Sequence, residues 1–176
     1  IIENMKKEKL ILLVLGIVFV LSSCETLKDP EVEYGPVYPL SAEWIVRFIA
    51  PNPKVAADTT SFSTVTAFNA ADNSTTSLWI RKTGSNALVG AFTVKATCNV
   101  PDKTFSVSGG TNTVLAAGVS VGTITITEGK VITDGWNTKS GHKSDKITFK
   151  IEDSRKPGKV YTAEGYRRTG WSEDEP

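Results

Sequence analysis

Gly118-Val119-Ser120-Val121-Gly122 is a stretch whose residue types and spacing match a nucleophile for acyl transfer. Glycines on either side of a serine allow a sharp turn that exposes the hydroxyl. Asp134 and His142 follow in an order that lets an acid orient a histidine and the histidine take the serine proton. Such a set would hydrolyse an ester or amide. The turn must, however, lead from a strand into a helix, and Thr123-Ile124-Thr125-Ile126-Thr127 reads as a strand. Glycine-rich β-turns give the same five-residue match. A hydrolase using Ser120 or His142 is therefore an alternative reading. It requires Ser120, Asp134 and His142 to converge within hydrogen-bonding reach.

Other chemistry is sparse. His142 is the only histidine and sits in the polar loop 137–143, and Cys98 has no second cysteine at metal-ligand spacing. Neither a metal site nor a cofactor is expected. Cys98 falls in phase with Phe92, Val94 and Ala96, as a small buried hydrophobe would. Asp72-Asn73 reads as a turn, and Glu173-Asp174-Glu175 as a solvated acidic tail.

The second cysteine carries a stronger signal. Lys6, Lys7 and Lys9 surround a start at Met5, with Ile1 to Asn4 read as upstream extension, and Leu10 to Leu21 is apolar apart from Gly16. This run is short of the roughly 20 residues that span a bilayer and has the layout of a signal peptide. Leu21-Ser22-Ser23-Cys24 closes it and resembles the lipobox of bacterial lipoproteins. In that group the thiol takes a diacylglycerol and the peptide is cut before it, which makes Cys24 the lipid-anchor residue. The implied address is the cell envelope, at the outer membrane, with the membrane as a partner through the lipid.

Residues 1–23 are then signal and extension, 24–40 a tether punctuated by Pro30, Pro36 and Pro39, and 41–176 one domain. Of 20 basic and 19 acidic residues, Lys6, Lys7, Lys9, Glu3 and Glu8 leave with the signal, so the mature chain carries no net charge. Its basic residues are scattered, which argues against a nucleic-acid partner. An envelope protein partner stays open.

The domain has the texture of strands. Trp44 to Ile49, Ser61 to Asn69, Leu78 to Arg81, Ala91 to Val100, Thr104 to Ser108, Gly122 to Thr127, Lys130 to Trp136, Ser144 to Glu152 and Lys159 to Trp171 alternate or run apolar. Glu128-Gly129 reads as a turn between two of them, and Thr113 to Ala117 as at most one helical turn. Alternation by two gives each strand one buried and one wet face. About nine such strands at short intervals predict an all-β sandwich or barrel.

A barrel of about eight strands is either just filled by its side chains or holds one small ligand. The inward candidates for lining such a cavity are Trp44, Phe48, Leu78, Ile80, Phe92, Val94, Ile147 and Phe149. They favour an apolar, lipid-like molecule. An accessory subunit of an envelope complex, with no small ligand, is the further alternative and predicts an exposed apolar patch.

Glu43-Trp44-Ile45-Val46, Leu78-Trp79-Ile80 and the closing Gly165-Tyr166-Arg167-Arg168-Thr169-Gly170-Trp171-Ser172-Glu173-Asp174, together with the lipobox, resemble a group of small Gram-negative lipoproteins described as lipid-binding putative hydrolases. The resemblance covers residues 41–174. It implies a single antiparallel, mostly up-and-down calycin-like (lipocalin-type) barrel of about eight to ten strands. It also implies a cation–π contact from the first-strand Trp44 to Arg167 or Arg168 on the last. Ala42 stands where calycins commonly have glycine.

Overall fold

Period-two patterning decides the architecture. In Phe92–Asn99 the residues Phe92, Val94, Ala96 and Cys98 are buried, while Lys95, Thr97 and Asn99 are exposed. The same alternation gives the long strands an apolar face, and here the sheet closes on itself to bury these faces together. The computed structural model describes residues 31–116, 119, 120 and 122–176, with the backbone alone at 115, 116, 119 and 120. The segment expected to be a signal peptide, Cys24 and the first residues of the expected tether lie outside the described residues.

The strands are β1 (Ala42–Ile49), β2 (Ser63–Asn69), β3 (Ser77–Lys82), β4 (Phe92–Asn99), β5 (Thr104–Thr111), β6 (Leu115–Ala116), β7 (Val119–Ser120), β8 (Thr123–Asn137), β9 (Lys143–Asp153) and β10 (Val160–Arg167). Eight of them form a closed antiparallel barrel in the order β1-β10-β9-β8-β5-β4-β3-β2. β6 and β7 form a separate small hairpin between β5 and β8. Among the described residues there is no α-helix, only two short 3-10 turns at Ala56–Asp58 and Ser172–Asp174.

Closure of β1 on β10 depends on Gly165. A Cβ there would lie 2.0 Å from the Ile45 carbonyl oxygen, so any side chain would push these strands apart. On the interior face β10 also contributes Ala163, opposite Phe48. Small residues on the last strand thus face large ones on the first.

Three expectations are corrected. Glu128-Gly129 is not a turn between strands. The chain continues as one 15-residue strand, with a register shift between Thr127 and Lys130 and Glu128 at φ 55°. This is a bulge, which bends and twists a strand without ending it. The helical turn expected from Thr113 is replaced at Leu115–Ala116 by the strand β6, while Ala117 lies outside the described residues. The last strand stops at Arg167, and Trp171 beyond it is exposed.

The barrel unit starts earlier than residue 41. Tyr34 to Leu40 belong to it, with Val37 and Leu40 fully buried in the core and Tyr34 stacked on Tyr38 at 3.9 Å.

Candidate binding site

The eight residues singled out for the interior all face it. Trp44, Phe48, Leu78, Ile80, Phe92, Val94, Ile147 and Phe149 are each at most 2% exposed. Phe149 meets Phe48 edge-on at 6.4 Å and Phe105 at 5.8 Å between ring centres. The middle of the barrel is therefore occupied by its own side chains. Such a wall offers only apolar contact, about 0.8 kcal/mol for each methylene it removes from water. Polar specificity must come from the two ends.

At one end, Trp44 donates its indole N–H to the Leu40 carbonyl at 3.3 Å. The Arg167 guanidinium lies 4.9 Å from the centre of the Trp44 ring and 5.5 Å from that of Tyr38. It also pairs with Asp145 at 3.2 Å and donates to the Pro39 and Ser41 carbonyls. One cation, one carboxylate and two rings thus fasten Val37 to Leu40 under the barrel. The neighbouring Arg168 points elsewhere and pairs with Glu43 and Glu175.

The other end is closed by the loop between β3 and β4, residues 83–91, whose Val89 is fully buried in the core. Three cations hold its carbonyls. Lys82 donates to Gly84 at 2.7 Å, Lys156 to Ala87 and Leu88 at 2.5 and 2.9 Å, and Arg155 to Ala91 at 3.1 Å. Arg155 also forks onto Asp153, with contacts of 2.5 to 2.9 Å. Burial pushes the Asp153 carboxyl up, but Arg155 and the Gly90 amide outweigh it and hold it below the ordinary range. Asn86 braces the loop from within, its side-chain oxygen accepting from the Leu88 and Val89 amides.

A family model described as lipid-binding putative hydrolase matches residues 29–172. The chain belongs to this family. No match was found among curated proteins. The match runs through the whole barrel, from the tether to the end of β10, and the closed eight-stranded wall is the structure that the sequence resemblance implied. The implied cation–π pair is present, with Arg167 as the cation.

The residues of the alternative hydrolase are not brought together. Ser120 precedes β8 by three residues, whereas Asp134 lies near the far end of that strand. At about 3.3 Å per residue, eleven residues of strand separate Thr123 from Asp134 by on the order of 30 Å. Asp134 and His142 are both exposed. Cys98 is buried, its thiol donates to the Thr75 carbonyl at 3.6 Å, and burial pushes its pKa up. It has the environment of an inert thiol.

A second aromatic group lies on the outer wall. Trp136 stacks on Tyr166 at 5.4 Å, Phe62 meets both edge-on, and a cleft of about 240 Å³ opens beside them. Arg47 covers Phe62, Lys146 covers Trp136, and Glu164 bridges the two cations. The chain end closes its rim. Asp174 is buried rather than solvated, and Tyr166 donates its hydroxyl to the Asp174 carbonyl. Burial pushes the Asp174 carboxyl up, but hydrogen bonds from Ser140, Thr169 and Thr138 outweigh it and bring it to about 2.

Reading by residue class missed Lys82, Asp145, Asp153 and Arg155. The signal was present for Lys82: it stands four residues after Leu78 and two after Ile80, on the same inward face.

Proposed function

We propose that this protein is a lipid-anchored envelope lipoprotein whose barrel binds a lipid-like small molecule. Support for the binding role is a family defined by lipid binding together with one continuous apolar interior, from Trp44 at one end to Val89 at the other. The molecule's chain would take the place of Val89 and lie among the inward side chains, entering from the end closed by loop 83–91. Support for the anchor is the lipobox order Leu21-Ser22-Ser23-Cys24 behind a short apolar run. The outer face of the barrel is unlike a membrane-spanning one: outward positions on β9 are Lys146, Thr148, Lys150 and Glu152, where lipid contact demands an apolar band. Lipid at Cys24, not the barrel wall, would then hold the protein to the membrane.

The test of binding uses the position of the tryptophans. Trp44 is fully buried inside, and Trp136 stands on the outer wall. In a variant that keeps Trp44 as its sole tryptophan, saturating 12-bromododecanol quenches most of the emission. In a variant that keeps only Trp136, emission is unchanged. Quenching of Trp136 alone would move the site to the outer cleft, and quenching of neither would end the reading. For the anchor, Cys24→Ala releases the protein from membranes or leaves its precursor uncleaved. Unchanged mass and fractionation would refute lipidation.

The outer cleft favours a second reading, an accessory subunit of an envelope complex. Phe62, Trp136 and Tyr166 form an aromatic group with flanking charges, as protein contact sites do.

A further inference from the structure

Lys82 is the anomaly of the interior. Its side chain is 2% exposed, faces inward between Val65 and Phe92, and places its ammonium 5.8 Å from the centre of the Phe48 ring. Among the described residues no carboxylate lies within 4.0 Å of it. An ammonium has three protons to donate, and among the described residues only the Gly84 carbonyl accepts one. Burial pulls the Lys82 pKa down, and the like charge of the Arg155 guanidinium adds to the effect. A buried cation without a counter-ion is costly, and a hydrophobe of the same length would pack here at lower cost.

The surplus of donors extends beyond this residue. The Asn86 amide nitrogen is buried and has no acceptor. Asn86 also lines a cleft of about 390 Å³ between residues 57–63 and the loop. Lys156 holds two loop carbonyls and, among the described residues, no carboxylate. Among the described residues, the one carboxylate at this end bonded to Lys82, Arg155 or Lys156 is Asp153, and it is taken by Arg155. Neutral backbone carbonyls fill the role of anions for the rest.

We propose that this end of the barrel receives the anionic head of a single-chain amphiphile, with Lys82 as its counter-ion and loop 83–91 as the stopper that the head displaces. An ionised head is a stronger acceptor for an ammonium than a peptide carbonyl. It therefore competes with Gly84 for Lys82, frees the loop, and lets the tail follow into the space held by Val89. A carboxylate and a phosphate monoester share this chemistry. The inference rests on the lipid-binding reading above and adds the class of ligand.

The test compares dodecanoate, dodecyl phosphate and dodecanol on the full mature chain, by quenching of Trp44 emission or by calorimetry. The wild type binds at least one of the two anions about tenfold or more tighter than dodecanol, the worth of one hydrogen bond to a charged group. The ratio of the two anions tells a carboxylate head from a phosphate. Lys82→Met brings the preference for the anion to within about twofold while dodecanol binding persists, and Lys82→Arg retains it. Lys82→Gln, which keeps a donor for Gly84 but no charge, serves if the Met variant does not fold. Equal affinity for all three in the wild type, or an undiminished preference in the uncharged variants, overturns the anionic head and leaves the lipid reading standing. Binding of none of them overturns both.

Discussion

The two ends of the barrel are closed by the same materials used in opposite proportion. At the Trp44 end one arginine meets one carboxylate and lies between two rings, Arg167 with Asp145, Trp44 and Tyr38. At the Lys82 end Arg155 alone holds Asp153, and Lys82, Lys156 and Arg155 rest on carbonyls of loop 83–91. Both carboxylates come from β9, at inward positions eight residues apart, so the same strand serves each end. A matched ion pair on an aromatic floor leaves a ligand nothing to gain by breaking it. A cation on a carbonyl can exchange that partner for a better one. The first end is built as a floor and the second as a door.

The largest expected effect tests the floor. Trp44→Ala removes a fully buried indole, its hydrogen bond to Leu40 and the seat of Arg167, and should cost about 3–5 kcal/mol in denaturant unfolding. Val89→Ala at the door removes two methyl groups from a loop held by polar bonds, and should cost about 1–2 kcal/mol. Comparable losses at the two ends would break the distinction.

Next in size is the wall that joins the ends. Gly165→Ala drives a Cβ into the Ile45 carbonyl and should cost about 1–3 kcal/mol, with the loss spread along β1 and β10 rather than confined to one end. Stability unchanged in the alanine variant would show that the two strands can part without penalty.

A third prediction concerns pH at the Trp44 side. The Asp174 carboxyl has an ordinary value of 3.8 and is brought to about 2 in the fold. Its folded value is depressed, so its stabilisation is complete above about pH 4 and is lost as pH falls from there toward 2. Asp174→Asn should flatten the acid limb of the stability curve in that window. A variant that follows the wild-type curve would show the chain end to be a solvated tail after all.

The smallest effect has the opposite sign. Lys82→Met, without ligand, should raise Tm by about 2–4 °C at neutral pH, roughly 1 kcal/mol, because a buried cation is replaced by an apolar chain. The folded pKa of Lys82 lies below its ordinary 10.5, so the folded state binds its proton less well than the unfolded one. Wild-type stability at this site therefore rises with pH toward 10.5, and the gap to the variant narrows. A lower Tm in the variant would mean that Lys82 is a structural strut.

Much of the wall was legible before any coordinates. Trp44, Phe48, Leu78, Ile80, Phe92, Val94, Ile147 and Phe149 all face inward, because strand alternation is local and each keeps the phase of its strand. Glu128-Gly129 misled because a bulge uses the same residue types as a turn, and only pairing with the neighbouring strand separates them. The ends were hidden for another reason. Charged residues read as solvated faces, and Lys82, Asp145 and Asp153 hold inward positions whose meaning comes from loops and strands distant in sequence. The capture of Asp174 by Ser140 and Thr169 is likewise invisible without the fold, being set by contacts up to 34 residues away.

Amide hydrogen exchange with and without dodecanoate tests the asymmetry of the ends most directly. Leu88, Val89 and Ala91 donate their amides to Asn86 and Ser85 within the door, while Tyr38, Leu40 and Ser41 donate theirs to Gly35 and Val37 at the floor. With dodecanoate bound, the first three should lose protection and the second three keep it. Protection unchanged at both ends, or lost only at the Trp44 end, would contradict a barrel that opens at Lys82.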